Sequence, residues 1–583
     1  MRLPLPSWLI HYQRQWLPGD LTAGLIVTVM LIPQSIAYAM LAGMPPQAGL
    51  YASVLPLIAY ALFGTSMTLA VGPVAVASLM TASALAPLAP AGSADYVALG
   101  VLLALMSGLM LFAAGLLRLG FLAYFLSHPV ISGFISGSAV LITIGQLKSL
   151  FGVPLPSGSP LDTLTALARM IDRINPATAT IGIASLLFLV FARTQLAPLL
   201  KKAGLAPALA DLLSRLAPMA AVIAATAGVA ITGVDQTASV SIVGAVPAGL
   251  PGLALPVLGW RQVQSLWLPA LLISLVGFVE SVSVAQSLAL KRGQRIQPDR
   301  ELLGIGAANV ASALSGGYPV TGGFARSVVN FSAGANTPAA GVFSAVLMAI
   351  VIFGMTSWFH YLPHTVLAAT IIVAVTALID IDTLKEAWHY DKADAISLLL
   401  TFTGVLVLGV DEGILLGVAL SLAALVWRSS HPHMAVVGRV PGTEHFRNIE
   451  RHQVETLPGL IALRIDESLY FANAQLLEEK IETLIQTHPG TRCILLILSA
   501  VNQLDTTALA TLTELEKSLA SRNITLQFSE VKGPVLDRMR STELGQRMTD
   551  RTYLSTHQAF LAFADSHSLS SDAAREARWS SMR

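Results

Sequence analysis

The sequence predicts a polytopic α-helical membrane protein that is followed by a soluble α/β domain. Of the 583 residues, 54% are hydrophobic and only 12% are charged, whereas soluble domains carry about 25% charged residues. Apolar runs of membrane-spanning length, separated by short Gly/Pro-rich turns, fill the chain up to Trp427-Arg428. After that point charged residues return to the level of a soluble domain. The net charge of +1 gives no indication of nucleic-acid binding.

About fourteen spans are expected in the apolar part of the chain. The first apolar run follows Gly19-Asp20 and leads directly into another, which predicts a first transmembrane helix rather than a cleaved signal peptide. The spans at 67–88 and 320–334 are interrupted by Gly and Pro. The expected spans are 21–42, 48–63, 67–88, 96–117, 121–148, 178–193, 216–233, 266–290, 301–316, 320–334, 339–357, 363–380, 394–410 and 411–427.

Basic residues predict the orientation in the membrane. With residues 1–20 inside, basic residues concentrate in the inside loops, around Lys201-Lys202 and Lys291-Arg292, whereas the outside segments 149–177 and 234–265 contain few. An even number of spans returns the tail to the same side. We therefore expect a multi-pass protein of the bacterial inner membrane with both termini in the cytoplasm.

The tail at 436–565 alternates strand-like and helix-like segments. The segments 461–465, 493–499 and 524–528 read as strands, and 473–486 and 506–520 read as amphipathic helices. This alternation predicts an α/β domain with a mostly parallel sheet. The last residues, 566–583, are expected to be disordered.

The apolar part, 21–430, contains a weak internal repeat. Gln34 in 32-IPQSIAYA-39 matches Glu280 in 278-FVESVSVA-285, and two further pairs of segments recur in the same order. One interpretation is two seven-span halves of inverted topology, at about 21–233 and 266–427, as in many transporters. The alternative is chance similarity among apolar helices.

The two interrupted spans carry Gly72-Pro73 and Gly322-Gly323 at corresponding places. Such residues end an extended stretch and begin a half-helix. Two half-helix amino ends facing each other inside the membrane would stabilise an anion through unpaired N–H groups and positive partial charge. The alternative is that these residues are packing glycines and kinks.

Three polar residues stand out in apolar spans: Arg326, Glu280 and Gln34. A cation in hydrocarbon costs about 2.5–3.5 kcal/mol, so Arg326 must face a polar group, and it would attract an anion. Glu280 is interpreted as a proton-coupling group, because burial and a nearby cation act on a carboxyl in opposite directions. The alternative is a permanent Glu280–Arg326 ion pair that joins two helices. Gln34 would be a neutral hydrogen-bonding partner at the matching position.

Several motifs resemble those of the sulfate permease (SulP) family of anion transporters. They are 19-GDLTAGLIVTVMLIPQSIAYAMLAGMPPQAGLYASVLP-56, 71-VGPVAVASLM-80, 127-SHPVISGF-134 and 318-YPVTGGFARSVVN-330. In the tail, 466-DESLYFANA-474 and 498-LSAVNQLDTTAL-509 resemble a STAS domain. The resemblance implies fourteen spans in two inverted seven-helix repeats, a uracil-permease-like fold, an elevator-like cycle and a homodimer.

The resemblance also implies an anion site in the first, third, eighth and tenth spans. Its substrate-binding residues would be Gln34, Tyr38, Val74, Ala75, Ala325, Arg326 and Ser327, with Glu280 in cation coupling, and members with Glu at that position look proton-linked. In the STAS domain, Thr506 would be a regulatory phosphorylation site. Ala508 departs from the Gly that is common there, and an ordinary N-cap hydroxyl is the alternative for Thr506.

These observations predict a secondary active anion transporter, with proton-coupled sulfate uptake as the first expectation. C4-dicarboxylate or bicarbonate transport, a passive anion channel or exchanger, and a membrane sensor remain alternatives. The apolar spans show no carboxylate cluster, metal-spaced histidines or activated nucleophile, so we expect no enzyme, metal or cofactor. The expected partners are an anion, protons, the lipid bilayer, a second copy of the chain and a cytoplasmic protein that binds the STAS domain.

Overall fold

The computed structural model describes residues 6–124, 127–154, 160–250, 252–253 and 259–566. The chain divides into two compact units between Ser421 and Leu422. Within the described residues, nine helices are long and apolar enough to cross a membrane. Apart from Ser566, the tail expected to be disordered at 566–583 lies outside the described residues.

The main helices before residue 431 follow the expected spans in order, and we label them α1–α14. They are Leu17–Leu41 (α1), Leu55–Phe63 (α2), Ala75–Leu85 (α3), Ala94–Leu116 (α4), His128–Phe151 (α5), Pro176–Phe191 (α6), Pro207–Thr232 (α7), Trp260–Leu290 (α8), Pro298–Leu314 (α9), Phe324–Ser332 (α10), Ala339–Gly354 (α11), His364–Thr376 (α12), Lys392–Val407 (α13) and Val410–Ser430 (α14). The number of membrane crossings stays a prediction.

Shorter helices precede or lie between these elements and were not predicted separately from the sequence. The helix Ile381–Tyr390 follows α12 and begins at Asp380, whose side chain caps it by accepting from the N–H of Thr383. Its sequence contains charged residues and is only partly apolar, so the pattern of apolar runs did not predict it. The others are Ser7–Ile10, Pro46–Tyr51, Pro160–Arg169, Ala197–Lys202 and Val234–Thr237.

The helices of the first unit pack in two groups. In the first helix group, α1–α4 and α8–α11, helix α9 packs on α4 and α2, and α11 packs on α1. In the second helix group, α5–α7 and α12–α14, helix α5 packs on α12 and α13, and α12 also packs on α6. Helix α14 joins this group because Gly413 lies against Val405 and Gly417 lies against Val130.

Small residues allow a close contact between α4 and α9 in the first helix group. A Cβ on Gly306 of α9 would lie 2.7 Å from the backbone N of Phe112, and one on Gly108 of α4 would lie 2.7 Å from that of Val310. Glycines at these two positions therefore let α9 and α4 approach each other closely.

The second unit contains a six-stranded sheet formed by Met434–Arg439 (β3), Phe446–Asn448 (β4), Leu460–Ile465 (β5), Cys493–Ile497 (β6), Thr525–Ser529 (β7) and Thr552–Tyr553 (β8), in the order β4-β3-β5-β6-β7-β8. Strands β5 to β8 pair in parallel, whereas β3 is antiparallel to both β4 and β5. The expected α/β domain with a mostly parallel sheet is confirmed. The helices of this unit are Ala474–Thr487, Thr506–Ser521, Gly533–Arg540 and Glu543–Arg547.

Candidate functional site

The two interrupted segments meet inside the first unit. Strands β1 (Val71–Gly72) and β2 (Thr321–Gly322) form an antiparallel pair. Each strand leads into a short helix, β1 into α3 after Val74 and β2 into α10 after Gly323. The antiparallel pairing of corresponding segments is the arrangement expected of two inverted repeats.

Neither short helix has a side chain that caps its amino end. The first N–H groups of a helix have no partner within the helix and carry a positive partial charge. Immediately before α10, the N–H of Gly323 donates to the carbonyl of Ala70 at 3.1 Å. Within the described residues, both amino ends are therefore available to a ligand.

Buried polar side chains form hydrogen bonds to the backbone near the point where the two segments pair. Asn309 of α9 accepts from the N–H of Val320 at 2.9 Å and donates to the Val320 carbonyl at 2.8 Å. Ser281 of α8 accepts from the N–H of Gly322 at 2.8 Å. These bonds satisfy backbone groups that would otherwise be unpaired in an apolar interior, and they hold β2 against α8 and α9.

A cavity of about 50 Å³ lies where the two amino ends meet. The first helix group supplies most of its wall, and the second helix group closes one side through α12 and the residues that follow it. The lining residues are Gln34, Tyr38, Val74, Ala75, Val76, Glu280, Gly323, Phe324, Ala325, Arg326, Ala374 and Leu378.

Arg326 supplies a buried cation to this cavity. Its side chain is 2% exposed, and its Nη1 donates to the carbonyl oxygen of Pro73 at 2.6 Å. In the described part of the chain, its Nε and Nη2 atoms are buried without a hydrogen-bond partner. Unpaired buried donors are rare in proteins, so an acceptor supplied by a ligand would satisfy them.

Glu280 lies on the wall of the same cavity. It is partly buried, and its Oε2 atom has no hydrogen-bond partner among the described residues. Among the described residues, no ion pair joins Glu280 to Arg326. The structure thus gives no support to the alternative of a permanent ion pair between the two side chains.

The structure brings together six of the seven substrate-binding residues expected from the sequence, and Glu280 with them. Ser327 is placed differently: its hydroxyl accepts from the N–H of Ala70 at 2.9 Å and donates to the Gly323 carbonyl at 2.7 Å. It therefore holds β1 against α10 and is absent from the cavity wall. The remaining lining residues, Val76, Gly323, Phe324, Ala374 and Leu378, were not expected. Ala374 and Leu378 are apolar residues in an apolar span, so the sequence gives no signal for them.

Thr506 is the first residue of the helix Thr506–Ser521 and is exposed. The N-cap of that helix is Asp505, whose carboxylate accepts from the N–H of Ala508 at 2.8 Å. The alternative that Thr506 is an ordinary N-cap hydroxyl is therefore wrong. The N-cap hydrogen bond is made by the aspartate one residue earlier. Asp and Thr are both favoured at N-cap positions.

Comparison with known families identifies both parts of the chain. Residues 17–401 match the model of the Sulfate permease family, and residues 451–559 match that of the STAS domain. Sulfate transporter 4.1, chloroplastic, of Arabidopsis thaliana is 34% identical over 90% of this chain and 77% of its own length. A probable sulfate transporter of Mycobacterium tuberculosis is 34% identical over 95% of this chain and 96% of its own length.

Solved structures share the fold. Murine Solute Carrier 26 family member A9, an anion transporter solved in the inward-facing state, aligns with a TM-score of 0.86 at 22% identity over 96% of this chain and 94% of that one. The transmembrane domain of the cyanobacterial bicarbonate transporter BicA aligns with a TM-score of 0.58 at 27% identity over 70% of this chain and 98% of that one. The chain therefore belongs to the sulfate permease family of polytopic membrane anion transporters and carries a STAS domain near its carboxyl end.

Proposed function

We propose that this chain is a proton-coupled sulfate transporter that binds its anion in the cavity between the amino ends of α3 and α10. The observation that carries the proposal is the buried guanidinium of Arg326, which has two unpaired donors beside those helix ends. The curated relatives that match most of the chain are described as sulfate transporters, which supports sulfate as the substrate.

The charge of the cavity favours a divalent anion. A helix amino end carries about half a positive charge, so two ends and one guanidinium supply about two positive charges. The cavity volume of about 50 Å³ also favours a compact ligand, since a single water needs about 10–15 Å³ on this measure. Sulfate is both divalent and compact. The expected substrate-binding residues Gln34, Tyr38, Val74, Ala75 and Ala325 would surround it, while Ser327 would act by holding the backbone.

Glu280 is the proposed proton site. An ionised carboxylate on the wall of the cavity repels an anion, while its protonated form does not, so a proton on Glu280 favours anion binding. By thermodynamic reciprocity, a bound anion favours the protonated carboxyl to the same degree. The unpaired Oε2 atom fits a group that gains and loses a proton, because no described residue forms a hydrogen bond with that atom.

The position of the cavity supports an elevator-like cycle. Both half-helices, Glu280 and Gln34 belong to the first helix group, whereas Ala374 and its neighbour Leu378 belong to the second. A movement of the first helix group against the second would carry the binding residues of the first group with it. The apolar wall formed by Ala374 and Leu378 would stay with the second group. Such rigid-body movement of one repeat-derived bundle against another is a common form of alternating access.

Bicarbonate is the second candidate substrate, and the likeness to the transmembrane domain of BicA favours it. A monovalent anion would leave about one positive charge in the cavity uncompensated. Glu280 could then remain ionised and balance the excess. A bicarbonate transporter of this kind would therefore show weaker dependence on protons than a sulfate transporter.

The remaining parts of the proposal concern location, assembly and regulation. Both termini lie in the cytoplasm of a bacterial cell, by the distribution of basic loops, and the chain works as a homodimer by family resemblance. Thr506 is a candidate for phosphorylation because it is exposed at a helix amino end, where negative charge is favoured. The neighbouring Asp505 carboxylate would oppose a phosphate there.

The test is uptake of radiolabelled sulfate, bicarbonate, succinate and fumarate into proteoliposomes, with and without a proton gradient directed inward. We expect sulfate accumulation that depends on the gradient. The Glu280→Gln variant should bind sulfate but lose gradient-driven accumulation, while the exposed matched control Glu386→Gln should behave as the wild type. Proton coupling would be refuted if sulfate accumulation did not depend on the proton gradient, or if Glu280→Gln still accumulated sulfate in response to the gradient. Faster uptake of another anion than of sulfate would refute the assignment of sulfate as the substrate.

A further inference from the structure

Glu280 borders two cavities. One is the anion cavity described above, and the other is a separate space of about 10 Å³. Apart from Glu280, the residues around this second space are all apolar: Ile131, Phe134, Ile135, Val276, Val279 and Ile414. A space of that size accommodates one water at most, and it offers too few polar partners to hold one.

The second space lies at the seam between the two helix groups. Ile131, Phe134 and Ile135 belong to α5 and Ile414 belongs to α14, so four of the apolar residues come from the second helix group. We call these four residues the apolar barrier. Phe134 and Ile414 are each 1% exposed, which means that the seam is closely packed at this point.

Among the described residues that share a cavity with Glu280, the other ionisable ones line the anion cavity, and the second space has none. Tyr38 of α1 and Arg326 of α10 line the anion cavity with it. Helices α3 and α12 contribute apolar residues there, and α5 and α14 contribute the apolar barrier. On α5 and α14, the ionisable residues that precede the barrier by one turn in sequence are His128, before Ile131, and Asp411, before Ile414. The Oδ2 atom of Asp411 accepts from the Ser83 hydroxyl of α3 at 3.4 Å.

A movement of the first helix group against the second would carry the Glu280 carboxyl across the apolar barrier. A neutral carboxyl crosses such a surface at small cost, whereas an ionised one loses its polar surroundings. On membrane insertion scales the penalty for an ionised side chain slows such a step by a factor on the order of 100. Movement of the anion-loaded site without a proton is therefore suppressed by the surface that faces Glu280, whereas in the empty site the guanidinium of Arg326 on the same cavity balances the ionised carboxylate.

We propose that the apolar barrier is the element that couples protonation to transport, by blocking movement of the anion-loaded first helix group while Glu280 is ionised. The inference rests on the proposed proton-coupled transport and adds the residues that enforce it. Ile131, Phe134, Ile135 and Ile414 line the second space and are absent from the wall of the anion cavity. They determine the coupling of protons to the anion rather than the affinity for it.

Two polar substitutions test the barrier. Ile414→Asn places an amide opposite Glu280, and Ile135→Thr, at a half-buried position, makes a smaller change that is easier to fold. Ile414→Val and Ile135→Val keep the surface apolar and serve as matched controls. Each variant is reconstituted, its thermal stability is measured, and sulfate flux is followed with and without a proton gradient and at two symmetrical pH values.

The barrier predicts a leak in the polar variants. Net sulfate flux at alkaline symmetrical pH, where Glu280 is ionised, should rise about tenfold or more in Ile414→Asn and by a smaller factor in Ile135→Thr. Gradient-driven accumulation should fall accordingly, while both Val variants stay coupled. Wild-type coupling in a stably folded Ile135→Thr or Ile414→Asn variant would overturn the barrier and leave the transport proposal intact. Absence of proton dependence in the wild type itself would overturn both.

Discussion

Arg326 and Pro73 lie 253 residues apart in the chain, yet the Nη1 atom of Arg326 donates a hydrogen bond of 2.6 Å to the carbonyl oxygen of Pro73. This bond ties α10 of the second half of the chain to the residue just before the amino end of α3. It also fixes the guanidinium so that its other donors remain on the anion cavity. One side chain therefore joins the two half-helices and supplies the charge between them.

Replacement of Arg326 by Gln should weaken sulfate binding more than it weakens the fold. Hydrogen bonds to a charged group contribute about 1.5–3 kcal/mol each, so we expect affinity to fall about 10- to 100-fold. Calorimetric titration of the purified protein with sulfate measures the change, and thermal unfolding monitors the fold. The exposed Arg261→Gln substitution, at the start of α8, is the matched control. Equal affinity in wild type and Arg326→Gln would contradict the assigned role.

A methyl group on Gly323 should disturb the anion cavity. Its Cβ would lie 3.0 Å from Nη2 of Arg326 and 3.2 Å from Cγ1 of Val74, so the guanidinium must shift. Because small displacements of a binding group have large effects, we expect Gly323→Ala to lower sulfate affinity about tenfold. In Gly341→Ala the new Cβ meets its nearest atom at 3.7 Å, so this control should bind normally. Equal affinity in both variants would contradict the proposed position of Arg326.

Arg292 should stabilise the carboxyl end of α10. It donates to the carbonyls of Ala335 at 2.5 Å and Phe331 at 3.2 Å, and its guanidinium lies 4.4 Å from the centre of the Phe331 ring. A cation at a helix carboxyl end contributes about 0.3–2 kcal/mol. Arg292→Gln should therefore lower the thermal unfolding temperature and weaken sulfate binding modestly. Lys291→Gln, at the exposed preceding residue, should change neither quantity, and a neutral result for both variants would show that this contact does not matter.

Cys493 should report on opening of the STAS domain. It is the single cysteine of the chain, and burial raises the pKa of its thiol to about 12, while the charge of Arg551 opposes the shift. Since the thiolate is the reactive form, maleimide labelling of the folded domain at pH 8 should be slower than labelling of the unfolded chain by a factor on the order of a thousand. The folded domain keeps its proton to higher pH than the unfolded chain. The contribution of this thiol to stability is therefore complete below about pH 8.5 and is lost as pH rises towards 12.

An exposed cysteine provides the control for that measurement. Ser521 lies exposed at the end of the helix Thr506–Ser521, so Ser521→Cys should gain one label that reacts rapidly under native conditions. Urea should then release the second label, from Cys493, in step with unfolding followed by circular dichroism. Rapid labelling of Cys493 in the wild type without denaturant would contradict its burial in β6.

The sequence reveals those parts of the site where a polar residue interrupts an apolar span. Glu280, Arg326 and Gln34 are visible for that reason, and the Gly and Pro residues before α3 and α10 mark the half-helices. The fold class follows from the length and spacing of apolar runs, and the α/β tail follows from its alternating periodicities.

Other buried charges could not be interpreted from the sequence, because their partners lie far along the chain. Asp20 and Glu301 are both fully buried, and each accepts from a distant backbone N–H, of Asn336 at 2.6 Å and Thr65 at 2.7 Å respectively. Both sit in the first turn of a helix, where acidic residues are common for local reasons. Only tertiary structure shows that they hold segments of the other half of the chain.

The central claim is that the anion binds between the amino ends of α3 and α10. The most direct measurement is a crystal structure of the protein saturated with selenate, whose selenium atom is located by anomalous scattering. We predict one anomalous peak in the cavity, with selenate oxygens within hydrogen-bond distance of Nε or Nη2 of Arg326 and of the first N–H groups of both half-helices. A saturated protein whose peak lies elsewhere, with this cavity empty, would contradict the account.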